Sequence, residues 1–318
     1  MAFCIWCDAR LPTQGFFSRE FSLLNAEAPA LRAALWMSGW LALMLILPVA
    51  GREAARDIDL IQVMEMRSVI GFLMLYPLIH LSGGFEVVRT KRLWLHVSRN
   101  FVHYLAQYGW LLAIMLIPLA QVVSIEFTMP IWTAILAVTF LGERMDVWKN
   151  VAVLLGLVGV VIIVRPGMGE VSVGQIVALA TAVGFGISIT MVKSLTRTES
   201  VLAVMFWMVV IQSAIGLLPA LAVWRWPSAA TWGWVVLIAF CGTFSHYCMT
   251  RALHHADATL VVPMDFLRVP LSALVGWLVY TEAIDLLTAV GAALILAGNM
   301  LNLKSGTKRV ALADPAGR

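Results

Sequence analysis

The sequence predicts an all-α integral membrane protein: ten transmembrane helices arranged as two inverted five-helix repeats. Three observations predict it. Hydrophobic residues make up 61% of the 318 residues and charged residues 13%, against roughly 45–50% and about 25% in soluble domains. At a mean hydropathy of +0.89, that much apolar surface needs lipid as its solvent. Next, the chain reads one pattern twice, 139 positions apart. Tyr108 falls on Tyr247, Glu126 on Asp265, Phe127 on Phe266, Glu143 on Glu282, Asp146 on Asp285 and Gly159 on Gly298. Apolar coincidences are cheap here, but three paired acids are not, because the chain holds only 18. Finally, each copy contains five apolar runs of membrane length. An odd number makes the second copy enter the bilayer from the opposite side, the inverted-repeat plan of many transporters.

The elements follow in chain order. Residues 1–30 read as a cytoplasmic tail. Asp8, Arg10, Arg19, Glu20 and Glu27 interrupt them, so they do not resemble a cleaved signal peptide. A short amphipathic stretch at Phe16–Leu24 is the structure expected there. Cys4 and Cys7 form a lone Cys-x-x-Cys, weak support for metal or redox work without a second pair. The first repeat, 31–165, holds runs at Leu31–Ala50, Leu60–His80, Val97–Leu116, Gln121–Leu141 and Val147–Val164. The second, 174–303, holds Gly174–Lys193, Ala203–Val223, Trp232–Arg251, Ala258–Val279 and Ile284–Leu303. Each approaches the roughly 20 residues that the hydrocarbon layer requires. A basic tail, 304–318, follows. Short connections such as Gly142–Asp146 make neighbouring spans antiparallel.

Charge sets the orientation. With the N-terminus inside, 16 of the 22 Lys and Arg residues fall on the inner side, 4 outside and 2 within spans. Both termini are therefore expected in the cytoplasm of a bacterial inner membrane. The formal charge of +4 sits in short loops, so it reads as a topology signal and not as a nucleic-acid face.

Several motifs carry a family likeness. Phe127-Thr-Met-Pro130, an apolar run and Phe140-Leu-Gly-Glu-Arg144 resemble the fourth span and following loop of EamA-like proteins of the drug/metabolite transporter superfamily. Asp265-Phe-Leu-Arg-Val-Pro270 through Gly276-Trp-Leu-Val-Tyr-Thr-Glu282 looks like the matching stretch of one branch, and Glu65-Met-Arg67-Ser68 is similar to its second span. Thr281 departs from the glycine usual before the acid. The likeness covers about residues 31–303. It implies two such repeats, cytoplasmic termini and a central cavity lined mainly by the first, third, fourth, sixth, eighth and ninth spans. Members carry amino acids, nucleotide-like molecules, vitamins, siderophore-like compounds or drugs.

The cavity candidates on those spans are Trp36, Trp40, His103, Gln107, Tyr108, Glu126, Phe185, His246, Tyr247, Asp265 and Arg268. Ionisable groups inside a span are costly and usually face protein or a water-filled path. Glu126 and Asp265 occupy equivalent positions and are the candidates for proton coupling. The competing reading is a structural ion pair, with Arg268 one turn from Asp265. Glu126 has no basic residue at such spacing, which makes it the stronger candidate for titration. Glu65 and Arg67 point to different faces near one end of their span, where snorkelling to the interface is an alternative. His103, Gln107 and Trp110 share one helical face, suited to a planar or amphipathic metabolite. Interfacial anchoring better explains Trp224, Trp226, Trp232 and Trp234.

Pro130 and Pro270 each remove a backbone hydrogen bond within a span and are expected to kink it. Cys241 and Cys248 read as packing residues. Gly156, Gly159, Gly291 and Gly298 permit close helix approach, between the halves or between two copies, so a homodimer is one expected arrangement. His254-His-Ala-Asp257 reads as a cytoplasmic loop more than as an acyltransferase dyad. No catalytic, metal or cofactor site and no P-loop is evident.

The function expected is transport of small metabolites by alternating access, with efflux of amino-acid-like or drug-like compounds placed first. Import of a vitamin or nucleoside-like compound comes next, and a polytopic membrane enzyme last.

Overall fold

The computed structural model describes residues 18–141, 147–165, 171–195, 198–255, 261, 264–283 and 285–313. Cys4 and Cys7 lie outside the described residues, as do Ala256 and Asp257 and the side chain of His246. Among the described residues the regular structure is helical throughout. Helix α1 spans Ser18–Ala54, α2 Leu60–Leu81, α3 Leu93–Leu116, α4 Leu119–Glu126, α5 Met129–Leu141 and α6 Val147–Val164. Then come α7 Val173–Leu195, α8 Val201–Ala222, α9 Ala229–His255, α10 Arg268–Tyr280 and α11 Leu286–Ala313, with a 3₁₀ turn at Gly84–Val88 after α2. Six helical segments among the described residues are long and apolar enough to cross a membrane, and three shorter apolar ones accompany them.

Helix α1 begins at Ser18 and helix α11 continues to Ala313, each reaching into a segment expected as a tail. Two expectations need correction. His254 and His255 end α9 and do not lie in a loop. Finally, the fourth span is broken, not kinked. Pro130 stands in the first turn of α5, where its missing N–H costs nothing but its ring blocks continuation from the turn before. Pro270 likewise stands in the first turn of α10, one position further in.

The groups freed by the first break are satisfied. Thr128 Oγ1 donates to Ile125 O at 2.6 Å. Asn299 Nδ2 donates to Phe127 O at 2.8 Å from α11. Such compensation is what allows non-helical backbone within a bundle at membrane depth.

Packing joins the two halves of the chain. Helix α1 runs along α9, α3 along α7, α2 against α8, α6 against α11 and α4 against α10. The α6–α11 contact is close enough to exclude side chains. A Cβ on Gly159 would stand 2.6 Å from Gly291 O, and one on Gly298 2.7 Å from Ala152 O. Shifting the first contact by the sequence repeat gives the second. Phe127 and Phe266, also repeat partners, meet edge to face at 5.6 Å. The largest buried cluster surrounds this junction and includes Ile114, Leu119, Ile125, Ile163 and Ile295. Cys241 and Cys248 are buried in α9.

Candidate functional site

The two breaks in the chain bring opposite charges together. Arg268, at the start of α10 and 9% exposed, places Nη1 2.9 Å from Glu126 Oε1 at the end of α4. Its Nε lies 3.6 Å from Asp265 Oδ1. Each carboxylate also accepts from an indole: Trp110 Nε1 to Glu126 Oε2 at 2.9 Å, and Trp40 Nε1 to Asp265 Oδ1 at 2.6 Å. The guanidinium sits over the Phe127 ring at 4.7 Å. Glu126 therefore has a basic partner, contrary to the sequence expectation. That partner comes from the other half of the chain, so helical spacing could not reveal it.

Two adjoining cavities open beside this cluster. One, of about 140 Å3, is lined by Glu126, Arg268, Trp110, Leu111 and Ile238. The other, of about 210 Å3, is lined by Trp40, His103, Met205, Met208, Gln212 and Thr243 among others. They share Met44, Leu47, Arg67, Gln107 and Phe185. The second runs from mid-bundle toward the end that carries the α2–α3 and α7–α8 connections, reaching Leu75 and Met205. His103 and Phe185 face each other with ring centroids 5.4 Å apart. Ser188 Oγ lies 3.3 Å from His103 Nδ1.

Arg67 organises the polar part. Its Nη2 donates to Gln107 Oε1 at 2.8 Å and to Gln212 Oε1 at 3.2 Å. Glu65, two residues earlier, faces away and is 3% exposed. It accepts a hydrogen bond from Ser213 Oγ, so it is packed inside the bundle and does not snorkel.

Six of the candidates thus line these cavities: Trp40, His103, Gln107, Glu126, Phe185 and Arg268. Asp265 joins them through Trp40 and Arg268. Trp36, Tyr108 and Tyr247 line neither cavity. Tyr108 packs against the main core. Tyr247 is 49% exposed, meets Trp36 edge to face at 5.5 Å and stacks with Phe244 at 5.4 Å. Arg251 lies over the Trp36 ring at 5.4 Å. Gln212 escaped the sequence reading, which weighed mainly ionisable groups. An isolated amide in the apolar run of α8 was the available signal. The expected Trp anchors also divide: Trp226 is 82% exposed, whereas Trp224 and Trp234 pack against the core.

A larger cavity, about 340 Å3, lies between α4, α10 and α11. Its wall is largely Ala with Gln121, Ser124 and Thr288, its two acids, Glu282 and Asp285, are already paired with Arg52 and Arg165, and it meets neither Arg67 nor the Glu126–Arg268 pair. Convergent polar groups in an apolar setting mark a ligand site better than size does, so the smaller pair is the candidate.

Each end of the bundle is tied across the halves. At one end Arg52 Nη1 pairs with Glu282 Oε1 at 2.6 Å, and its Nε and Nη2 donate to Ile114 O and Ile117 O. Glu282 Oε2 accepts from Leu119 N at 2.8 Å. At the other, Glu199 Oε2 lies 2.5 Å from His96 Nε2, and Arg92 donates to Ser194 O and Oγ.

Known proteins resemble this chain in sequence and fold. The EamA-like transporter family matches residues 31–165 and again 172–304. A riboflavin transporter of Rhizobium johnstonii is 30% identical, covering 75% of this chain and 80% of the relative. One from Brucella anthropi is also 30% identical, covering 76% and 88%. An S-adenosylmethionine uptake transporter of Rickettsia felis is 22% identical over 88% and 96%. A solved crystal structure shares the fold at a TM-score of 0.59 and 19% identity, covering 85% of this chain and 96% of its own. By these matches the chain belongs to the EamA-like transporter family.

Proposed function

We propose that this transporter carries a small planar metabolite across the bacterial inner membrane by alternating access. Its halves would be ten spans in two inverted repeats, with both termini cytoplasmic. The observation that carries this reading is Arg268, which bridges an acid from each half beside a cavity that both halves line. Midplane sites between inverted repeats, built on broken helices, are a recurring transporter design. Further support comes from the α1–α9 and α3–α7 pairs, which exchange under the repeat, and from the paired contacts of Gly159 and Gly298. The α6–α11 surface is used within one chain, so it supports a contact between halves more than a homodimer.

Riboflavin is the first substrate to test, because two relatives of that name are 30% identical and the cavity walls are aromatic. Relatives named for uptake and one named a pseudopaline exporter both match. Direction therefore follows from the gradient the carrier couples to. Two carboxylates share one guanidinium at the junction, leaving a formal negative charge that a proton would neutralise. Glu126 and Asp265 remain the proposed coupling groups on that ground.

The test is uptake of labelled riboflavin into proteoliposomes with and without an imposed pH difference. Wild-type vesicles should accumulate label faster than empty ones, and the pH difference should raise the rate severalfold. Glu126→Gln should exchange label yet lose that acceleration. Unchanged pH dependence in Glu126→Gln would remove coupling from that residue, and an absence of uptake would remove riboflavin.

A further inference from the structure

The polar wall of the larger of the two cavities beside the charge cluster centres on Arg67, Gln107 and Gln212, with Ser68, His103 and Thr243 around them. Arg67 Nη2 draws in both glutamine oxygens, Gln107 Oε1 at 2.8 Å and Gln212 Oε1 at 3.2 Å. An amide oxygen held by a guanidinium fixes which end of the amide is which. The two NH2 groups are left to face elsewhere. Gln212 is 1% exposed, and its Nε2 has no hydrogen-bond partner. Leaving a buried donor unmade costs about 1–3 kcal/mol, so a group of this kind in a cavity wall calls for an acceptor. Among the described residues Arg67 forms no ion pair, and its hydrogen bonds are made from Nη2 alone. Around these donors stand Trp40, Phe185, Met205 and Met208. Of the acids, Glu126 and Asp265 are already committed to Arg268 and to two indoles, and Glu65 faces away toward Ser213.

We infer that Arg67, Gln107 and Gln212 form the specificity subsite of this transporter, and that it reads an acceptor-rich edge on an aromatic ligand. The edge is a carboxylate or a pair of ring carbonyls. Arg67 donates through Nη1, and Gln212 Nε2 supplies a second donor. The flat body of the ligand lies against Trp40 and Phe185. An aromatic amine would meet Arg67 as a like charge, and the two glutamine oxygens it could use already accept from that guanidinium. The discrimination is steep for a physical reason: a site with buried donors rejects a ligand lacking the matching acceptors far more strongly than an apolar pocket rejects a misfit.

This inference rests on the transport reading above but fails separately from it. The test is equilibrium dialysis of the purified full chain in detergent against three probes. Indole-3-acetate carries a carboxylate, lumichrome a ring dione, and tryptamine an ammonium in place of an acceptor. At least one of the first two should bind, with tryptamine at least tenfold weaker. Arg67→Met and Gln212→Leu should each weaken the bound probe about tenfold or more. Gln212→Leu is close to volume-conserving and keeps a readout if Arg67→Met fails to fold. Tryptamine binding as tightly as the others, neither acceptor probe binding, or unchanged affinity in folded Gln212→Leu would each overturn the subsite. Parallel uptake of the bound probe into proteoliposomes separates the two ideas. Binding without uptake refutes transport of that probe and leaves the subsite standing. Uptake indifferent to both substitutions does the reverse.

Discussion

Thr281 shows how one side chain can carry a cost that its neighbours make worthwhile. It caps α10 at φ 57° and ψ 30°, the left-handed region. A β-branched residue there costs about 1–2 kcal/mol. The strain turns the chain so that Glu282 N reaches Gly276 O at 3.1 Å and the carboxylate folds back toward Arg52 and Leu119 N. Gly276 leaves the room: a Cβ there would lie 2.2 Å from Glu282 Oε2. The glycine common in this family before the acid thus has a conformational reason. Thr281→Gly should raise stability by roughly 0.5–1 kcal/mol, the strain relieved less the extra chain entropy of glycine, read as a higher melting temperature in detergent. At this scale the sequence was legible wherever a residue's role is local. Asp265 and Arg268, three apart on one turn, could be paired on paper. Glu126 with Arg268, Trp40 with Asp265 and Arg67 with Gln212 could not, because each pair meets only through tertiary crossing.

Elements were easier to find than their ends. Apolar length announced long helices, since lipid demands it, and the two prolines announced a disturbance of the helix, though a kink was expected where the chain breaks. Ends are set by caps and by groups distant in sequence. Helix α9 illustrates this. Ser228 precedes it and its Oγ accepts from Thr231 N at 3.2 Å. Asp57, in the α1–α2 connection, accepts from Ser228 N at 3.0 Å and Thr231 Oγ1 at 2.5 Å. Nothing local in the α9 sequence names that partner. The hydrogen bond from Thr231, then those from Ser228, hold the Asp57 carboxyl below its ordinary 3.8. A depressed carboxylate pKa stabilises the fold above the unfolded value and loses that contribution as pH falls through the folded value. Asp57→Asn should therefore lower the melting temperature at pH 7, and the gap to wild type should close progressively below about pH 4. A gap that persists unchanged at pH 3 would show that the carboxylate charge plays no part.

For the whole molecule, alternating access requires that the ties at one end loosen while those at the other hold. The Arg52–Glu282 pair is suited to such a role because both side chains are largely shielded, at 10% and 15% exposure, and solvent screening is weak there. Arg52 also binds two carbonyls at the end of α3 and lies 4.4 Å from the Tyr280 ring centroid, so one side chain joins α1, α3 and α10. A charge-assisted hydrogen bond is worth about 1.5–3 kcal/mol. Losing one such bond in only one of two states shifts their ratio roughly tenfold or more. The measurement is labelling of Met44→Cys, which lines both candidate cavities, in a background with Cys4, Cys7, Cys241 and Cys248 replaced. A membrane-impermeant maleimide is applied from each side of oriented vesicles. Arg52→Gln should speed labelling from the face that carries residue 52 and slow it from the opposite face. Glu282→Gln, which keeps a carbonyl oxygen for Leu119 N, should shift the balance in the same direction but less. Equal labelling from both faces in wild type and both variants would mean that this tie does not govern access. Control would then pass to the Glu126–Arg268–Asp265 junction, where both halves share one guanidinium and any relative motion must repartition its bonds.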